Sequence, residues 1–231
     1  MTTTASTDPP RNALGVKAIV RVAQTDAHEG PVYAADEDAL YFTSLPPDAV
    51  IKRLPLAEGR PPGSPTVVPA AATAPNGMAL APDGRLVVCE QGSLSQPARI
   101  SLVDRATGAT ETLVGGHGGL PLSSPNDVVI KRDGTVWFTD PSYGFVQGFR
   151  PEPALPDAVY RHDPRTGATT VVADGFDKPN GLAFSPDERV LYVGDSGANH
   201  EPGSYDRRDR TTSRRSTSSR ARGSEIAASS P

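Results

Sequence analysis

PNGMALAPDGRLVVCEQG at residues 75–92, PNDVVIKRDGTVWFTDPSYG at 125–144 and PNGLAFSPDERVLYVGDSG at 179–197 are three copies of one pattern. Each opens with Pro-Asn, runs through an alternating apolar stretch, turns at an aspartate (Asp83, Asp133, Asp187) and continues into a second apolar stretch. The Asp-Gly pairs at 83–84 and 133–134 supply the positive-φ residues of a tight turn, with Val, Leu, Trp, Phe and Tyr on either side, so each copy reads as a β-hairpin. A weaker copy, EGPVYAADEDALYFTSL, begins at Glu29.

A second hairpin follows two of the copies. ARISLVDRATGATETLV from Ala98 and AVYRHDPRTGATTVVAD from Ala158 share an apolar strand, an Asp, a Thr-Gly turn and another apolar strand. Four short antiparallel strands recurring about every 50 residues, with no helical periodicity between them, describe the blade of an all-β propeller. A β-sandwich would explain the strands but not the repeat. The expected blades cover 29–72, 75–116 and 125–175, and a fourth opens at Pro179 and stops after two strands near Gly197. That is about three and a half blades, an incomplete ring whose open edge would let the chain dimerise or aggregate.

Composition narrows the class further. The chain has 231 residues, 36% hydrophobic and 22% charged, and its 24 prolines and 22 glycines argue against long helices. No apolar run approaches a membrane span, and MTTTASTDPPRNALG at the start lacks a signal-peptide core, so the expected address is the cytoplasm. The single cysteine, Cys89, allows neither an internal disulfide nor a thiolate-rich zinc site.

Residues 204–231 hold seven arginines and three acids, a charge of +4, which leaves −8 on the first 203 residues. An acidic body has no footprint for nucleic-acid phosphates or a membrane surface and suits neutral small molecules or a bound cation. From Gly194 onward there is no Val, Leu, Phe, Met or Trp. Such a segment cannot bury enough apolar surface to offset its ordering entropy, so disorder is expected over 201–231. A Ser/Arg-rich tail can bind RNA or an anionic membrane, or be a solvated terminus. Its abrupt start within a repeat also fits an out-of-frame gene end. The organisation expected is thus an N-terminal extension at 1–24, a partial propeller at 25–200 and this tail.

In a propeller the first strand of each blade lines the central channel, so the residue just before it stands at the channel mouth. Those residues are Glu29, Asn76, Asn126 with Asp127, and Asn180. Oxygen donors suit a hard cation, calcium better than magnesium with its strict octahedral geometry. The competing reading is that Pro-Asn is simply a turn, with the amide bonded to nearby backbone. Recurrence in register, with Glu replacing Asn in the first copy, favours a shared polar site. Tyr143, after Asp140-Pro141, is placed to overhang the channel.

HEGPVY at 28–33, SPNDVVIKRDGTVWFTDPSYG at 124–144 and KPNGLAFSPDERVLYVGDSG at 178–197 resemble the gluconolactonase, regucalcin (senescence marker protein) and luciferin-regenerating-enzyme family, over about residues 25–200. The resemblance implies a six-bladed ring that hydrolyses sugar or related lactones with one divalent cation at the channel mouth, calcium by preference over zinc, magnesium or manganese. Carried over by motif, Glu29 and Asn180 are metal ligands and Asn126 is a third ligand or a holder of the metal's water or substrate; separately from the motif, Asn76, Asp127 and Tyr143 are the expected substrate-lining residues. The family's remaining ligand and general base is an aspartate in a Pro-Asp-Gly segment opening the next blade, and none follows Gly197 here. Asp195 is no substitute, because it closes a second strand and has its counterpart in Asp140. No catalytic base is therefore assigned, and weak or absent activity is expected.

Other motifs carry less. The histidines at 28, 117, 162 and 200 sit in turn-like settings and receive no role, and Gly115–Gly119 reads as a flexible connector because no helix follows it. The alternative function is a non-catalytic propeller that binds partners through its surface. Near-identical blade starts would favour it, whereas the Glu in the first copy and the Asn-Asp in the third favour the enzyme.

Overall fold

A computed structural model describes residues 23–46, 48–56 and 63–197, and the backbone of 225–227. Three four-stranded antiparallel sheets follow one another. The first holds β1 (Ala27–Ala34), β2 (Ala39–Ser44), β3 (Ile51–Pro55) and β4 (Thr66–Val67), and the second β5 (Pro75–Leu80), β6 (Leu86–Glu90), β7 (Arg99–Val103) and β8 (Thr110–Val114). A two-stranded hairpin, β9 (Gly116–His117) and β10 (Leu120–Pro121), leads to the third, made of β11 (Val128–Ile130), β12 (Val136–Asp140), β13 (Ala158–Asp163) and β14 (Ala168–Asp174). One short helix, α1 (Tyr143–Val146), follows β12. The fourth sheet pairs β15 (Pro179–Phe184) with β16 (Val190–Asp195), and β16 with β17 (Glu225–Ala227).

The first strands of successive sheets are neighbours: β1 lies against β5, β5 against β11, and β11 against β15. Sheets arranged by their first strands around a common axis are the blades of a β-propeller. Packing between blades explains the sequence pattern. In β6, Val87 and Cys89 join Ile100, Val128, Phe138 and Tyr160 between the second and third blades. Leu86 and Val88 on the opposite face join Val32, Tyr41 and Met78 between the first and second. Both faces of the strand are buried, so LVVC is continuously apolar rather than alternating. Trp137 and Val159 face Leu182, Leu191 and Val193 of the fourth blade. Each such buried side chain contributes about 1.5–3 kcal/mol.

The turns follow the expected chemistry. Gly84 and Gly134 have φ of 86° and 85°, and Glu188 takes the same left-handed region at 56° in the fourth blade. In all three turns the aspartate accepts the backbone N–H of the residue two further on, just before the next strand: Asp83 from Arg85, Asp133 from Thr135, Asp187 from Arg189. A left-handed glutamate costs about 1–2 kcal/mol, and the Asp187 bond helps to hold it.

Two expectations need correction. Gly115–Gly119 is not a flexible connector but the β9–β10 hairpin, with positive φ at Gly118 and Gly119 in its turn and the His117 ring 5.5 Å from that of Tyr160. The tail expected to be disordered lies outside the described residues except at β17, where Ile226 pairs with Leu191 of β16, so the fourth blade has a third strand. The N-terminal extension lies outside the described residues apart from 23–24. Among the described residues no helix is long and apolar enough to cross a membrane.

Candidate functional site

The four blade starts meet. Glu29, Asn76, Asn126 and Asn180 line one cavity of about 550 Å³, together with Tyr143. The local cause is close packing of the strands that carry them. Gly77 donates its N–H to the Asn126 carbonyl at 2.8 Å, tying β5 to the turn before β11. Thr43 donates its hydroxyl to the Glu29 carbonyl at 3.0 Å, and Thr139 to the Asn180 carbonyl at 2.9 Å. These bonds hold together the backbone from which the blade-start side chains line the cavity.

The amide environments are informative. Asn76 and Asn126 are 6% and 5% exposed, and the Oδ1 of each is buried without a hydrogen-bond partner among the described residues. Burying an amide oxygen without a partner costs about 1–3 kcal/mol, and two residues of this one cavity wall carry such an oxygen. Asn180 donates from Nδ2 to the Tyr143 hydroxyl at 3.2 Å, which leaves its carbonyl oxygen on the other side of the amide. Tyr143, the first residue of α1, thus stands in the cavity wall in hydrogen-bond contact with Asn180.

Asp127 does not join them. Its Oδ1 accepts from its neighbour Val128 N at 2.9 Å and its Oδ2 from Leu182 N of β15 at 3.3 Å, so the carboxylate ties the third blade to the fourth and lies outside the cavity lining. Burial, with a smaller contribution from the Glu29 charge, raises its pKa above the usual carboxylate range. The reason is the one-residue offset: Asn126 faces the cavity, so the next side chain points along the strand interface. Asp195 accepts from Asp177 N and Gly197 N and is likewise a backbone anchor.

The cavity also includes residues that sequence reasoning left without a role: His28, Gln91, Ser93, Gln147, Phe149 and Ser196. Gln91, Ser93 and Ser196 lie just after the second strand of a blade, where antiparallel pairing returns the chain to the end at which the first strand began, and Gln147 and Phe149 follow α1. That offset was the available signal. Arg150 gave none. It is 8% exposed and donates to the carbonyls of Ser93, Gln96, Leu122 and Ser123, joining the loop after β6 to the entry of the third blade.

Among the described residues no three His, Cys, Asp or Glu side chains cluster. A cation here would be held by one carboxylate and neutral amide oxygens, a donor set fitting calcium better than zinc.

Comparison with known proteins agrees with the propeller-type fold. A gluconolactonase of Zymomonas mobilis is 32% identical over 196 residues, 79% of this chain and 53% of its own length. A lactonohydrolase of Aspergillus oryzae is 32% identical over 184 residues, 74% of this chain and 41% of its own. The chain spans about half the length of these curated relatives. Among solved structures, a gluconolactonase from Xanthomonas campestris has a TM-score of 0.66 at 36% identity, covering 77% of this chain and 57% of that one. A calcium-binding protein, regucalcin, from Agrobacterium tumefaciens shares the fold at a TM-score of 0.56 and 21% identity, with 78% of this chain and 54% of that one covered. Residues 27–226 match the SMP-30/Gluconolactonase/LRE-like region, and the chain belongs to that family.

Proposed function

We propose that the cavity binds one divalent cation, calcium by preference, through Glu29, Asn126 and Asn180, and that it takes a sugar-type or related lactone for hydrolysis. The observation carrying this reading is the pair of buried, unpartnered amide oxygens of Asn76 and Asn126 in the cavity that Glu29 and Asn180 also line. The bound cation would polarise the ester carbonyl and offset the charge that develops on its oxygen.

The chain's own residues do the rest. Asn76, on β5 between β1 and β11, accepts a hydrogen bond from a hydroxyl of the substrate at its Oδ1. Tyr143 holds the Asn180 amide in one orientation. Glu29 is the one carboxylate in the cavity lining among the described residues, so binding and proton removal compete for the same group. Turnover is therefore slow. The relatives' names, gluconolactonase and lactonohydrolase, support the reaction class.

Calorimetric titration of the full chain with calcium chloride, beside a gluconolactone hydrolysis assay, tests the reading. Saturable binding at one site that Glu29→Gln abolishes is expected, with hydrolysis lost in the same variant. A native chain that binds no cation and hydrolyses lactone no faster than buffer would overturn it.

A further inference from the structure

Three buried or half-buried carboxylates recur where the second strand of a blade ends: Glu90 closes β6, Asp140 closes β12 and Asp195 closes β16. Each reaches back to the backbone just before its own blade's Pro-Asn. Glu90, 1% exposed, accepts from Thr73 N at 2.9 Å. Asp140, fully buried, accepts from Ser123 N at 2.9 Å and Ser124 N at 2.8 Å. Asp195 accepts from Asp177 N at 3.1 Å.

Neighbouring bonds tighten each bracket. Gln91 N and Gly92 N donate to the carbonyls of Ala74 and Thr73, and Ser196 N to that of Lys178. In the third blade Ser124 Oγ donates to the Pro141 carbonyl at 2.6 Å and accepts from Gly144 N at 2.9 Å, so the same anchor places the helical turn that carries Tyr143. In the second blade Ala74, one residue from Pro75, has φ of 49°. A non-glycine residue there costs about 1–3 kcal/mol and persists only where its surroundings over-determine it. The first blade ends β2 in Ser44 and stands outside the scheme.

We propose that Glu90, Asp140 and Asp195 are positioning residues, each clamping the backbone that presents one amide to the cavity: Asn76, Asn126 and Asn180 respectively. The proposal rests on the cation-site reading above for its functional consequence. It predicts a division of labour, because Asp140 and Asp195 serve cation ligands while Glu90 serves a substrate contact.

Calcium affinity of the full chain is measured by calorimetry for native, Asp140→Asn, Asp195→Asn and Glu90→Gln proteins. Each is also followed by thermal melting and by backbone hydrogen exchange. Loss of a partner behind a ligand costs about 10- to 100-fold in metal affinity. That loss is expected for Asp140→Asn and Asp195→Asn, with Glu90→Gln within about twofold of native even though its melting temperature also falls. Exchange should quicken in the substituted blade alone, before its own Pro-Asn. A merely structural role would lower the melting temperatures without this affinity pattern, and folded Asp140→Asn and Asp195→Asn proteins with native affinity would overturn the proposal. If Asp140→Asn does not fold, Asp195→Asn, at the more exposed clamp, decides. If the native protein binds no calcium, the cation reading falls and the exchange arm decides alone: local loosening supports the clamps and uniform loosening refutes them.

Discussion

Gly77→Ala is the sharpest test of the way the blades deliver their amides. A Cβ at Gly77 would lie 2.6 Å from Asp127 Cα and from Asp127 Oδ1, and nearer still to the Asn126 carbonyl oxygen. Two of these neighbours are backbone atoms and cannot swing aside. Restoring ordinary contact requires β11 to retreat from β5 by about 0.8 Å, and overpacking of that kind costs about 1–3 kcal/mol. The Gly77 N–H bond to Asn126 O, now 2.8 Å, would stretch or break, adding about 1 kcal/mol. The sum is about 2–4 kcal/mol, or roughly 4–16 °C in melting temperature for a chain of this size. Because the moving group is Asn126 itself, calcium affinity should fall with stability. Gly134→Ala is the control: it has φ of 85° and nothing within 4 Å of the new Cβ, so it should cost about 1–2 kcal/mol and leave affinity unchanged. Scanning calorimetry with parallel calcium titrations reads both quantities. A Gly77→Ala protein melting within a degree or two of native with native affinity would refute the idea that blade contact aims the site.

Trp137→Ala should cost about 3–5 kcal/mol in urea unfolding, because the indole packs edge-on to Phe184 at 5.3 Å and donates to Thr135 Oγ1; a loss under 1 kcal/mol would mean that the third and fourth blades are not held together there. Burial pushes the Asp140 pKa up to about 7, so the folded state binds a proton more tightly than the unfolded chain. The stabilisation is complete below the unfolded value near 3.8 and is lost as pH rises toward 7. Between pH 8 and pH 5 the native protein should therefore gain roughly 3 kcal/mol relative to Asp140→Asn, and parallel pH dependences would contradict this. Arg150→Met keeps the aliphatic stem but strips donors from four carbonyls; it should lose about 2–4 kcal/mol and make the 93–97 loop more sensitive to limited proteolysis, whereas an unchanged cleavage pattern would deny Arg150 its bracing role.

Much of the molecule is written locally. A Pro-Asn start, an Asp-centred turn and two apolar stretches need only neighbouring residues to form, and their recurrence announces radial repetition. Glu29, Asn76, Asn126 and Asn180 could be singled out because repetition puts equivalent residues at equivalent radii. Local signals failed where one residue's offset matters. Asp127 looked like a partner of Asn126, yet strand alternation turns it toward Leu182. The glycine-rich run at 115–119 looked slack, yet two positive-φ glycines make it a hairpin that packs against Tyr160.

The sequence by itself determined the strands, the turns and the fact that polar blade starts would converge, since these depend on chirality, φ preference and a period that any reader of the chain can count. Only the tertiary structure decided which oxygens lack partners, which carboxylates serve backbone and which loop residues line the cavity. Hydrogen bonds such as Arg150 to Ser93 join residues 57 positions apart. Whether such a pair meets depends on how one blade leans on the next, a quantity no short window of sequence contains.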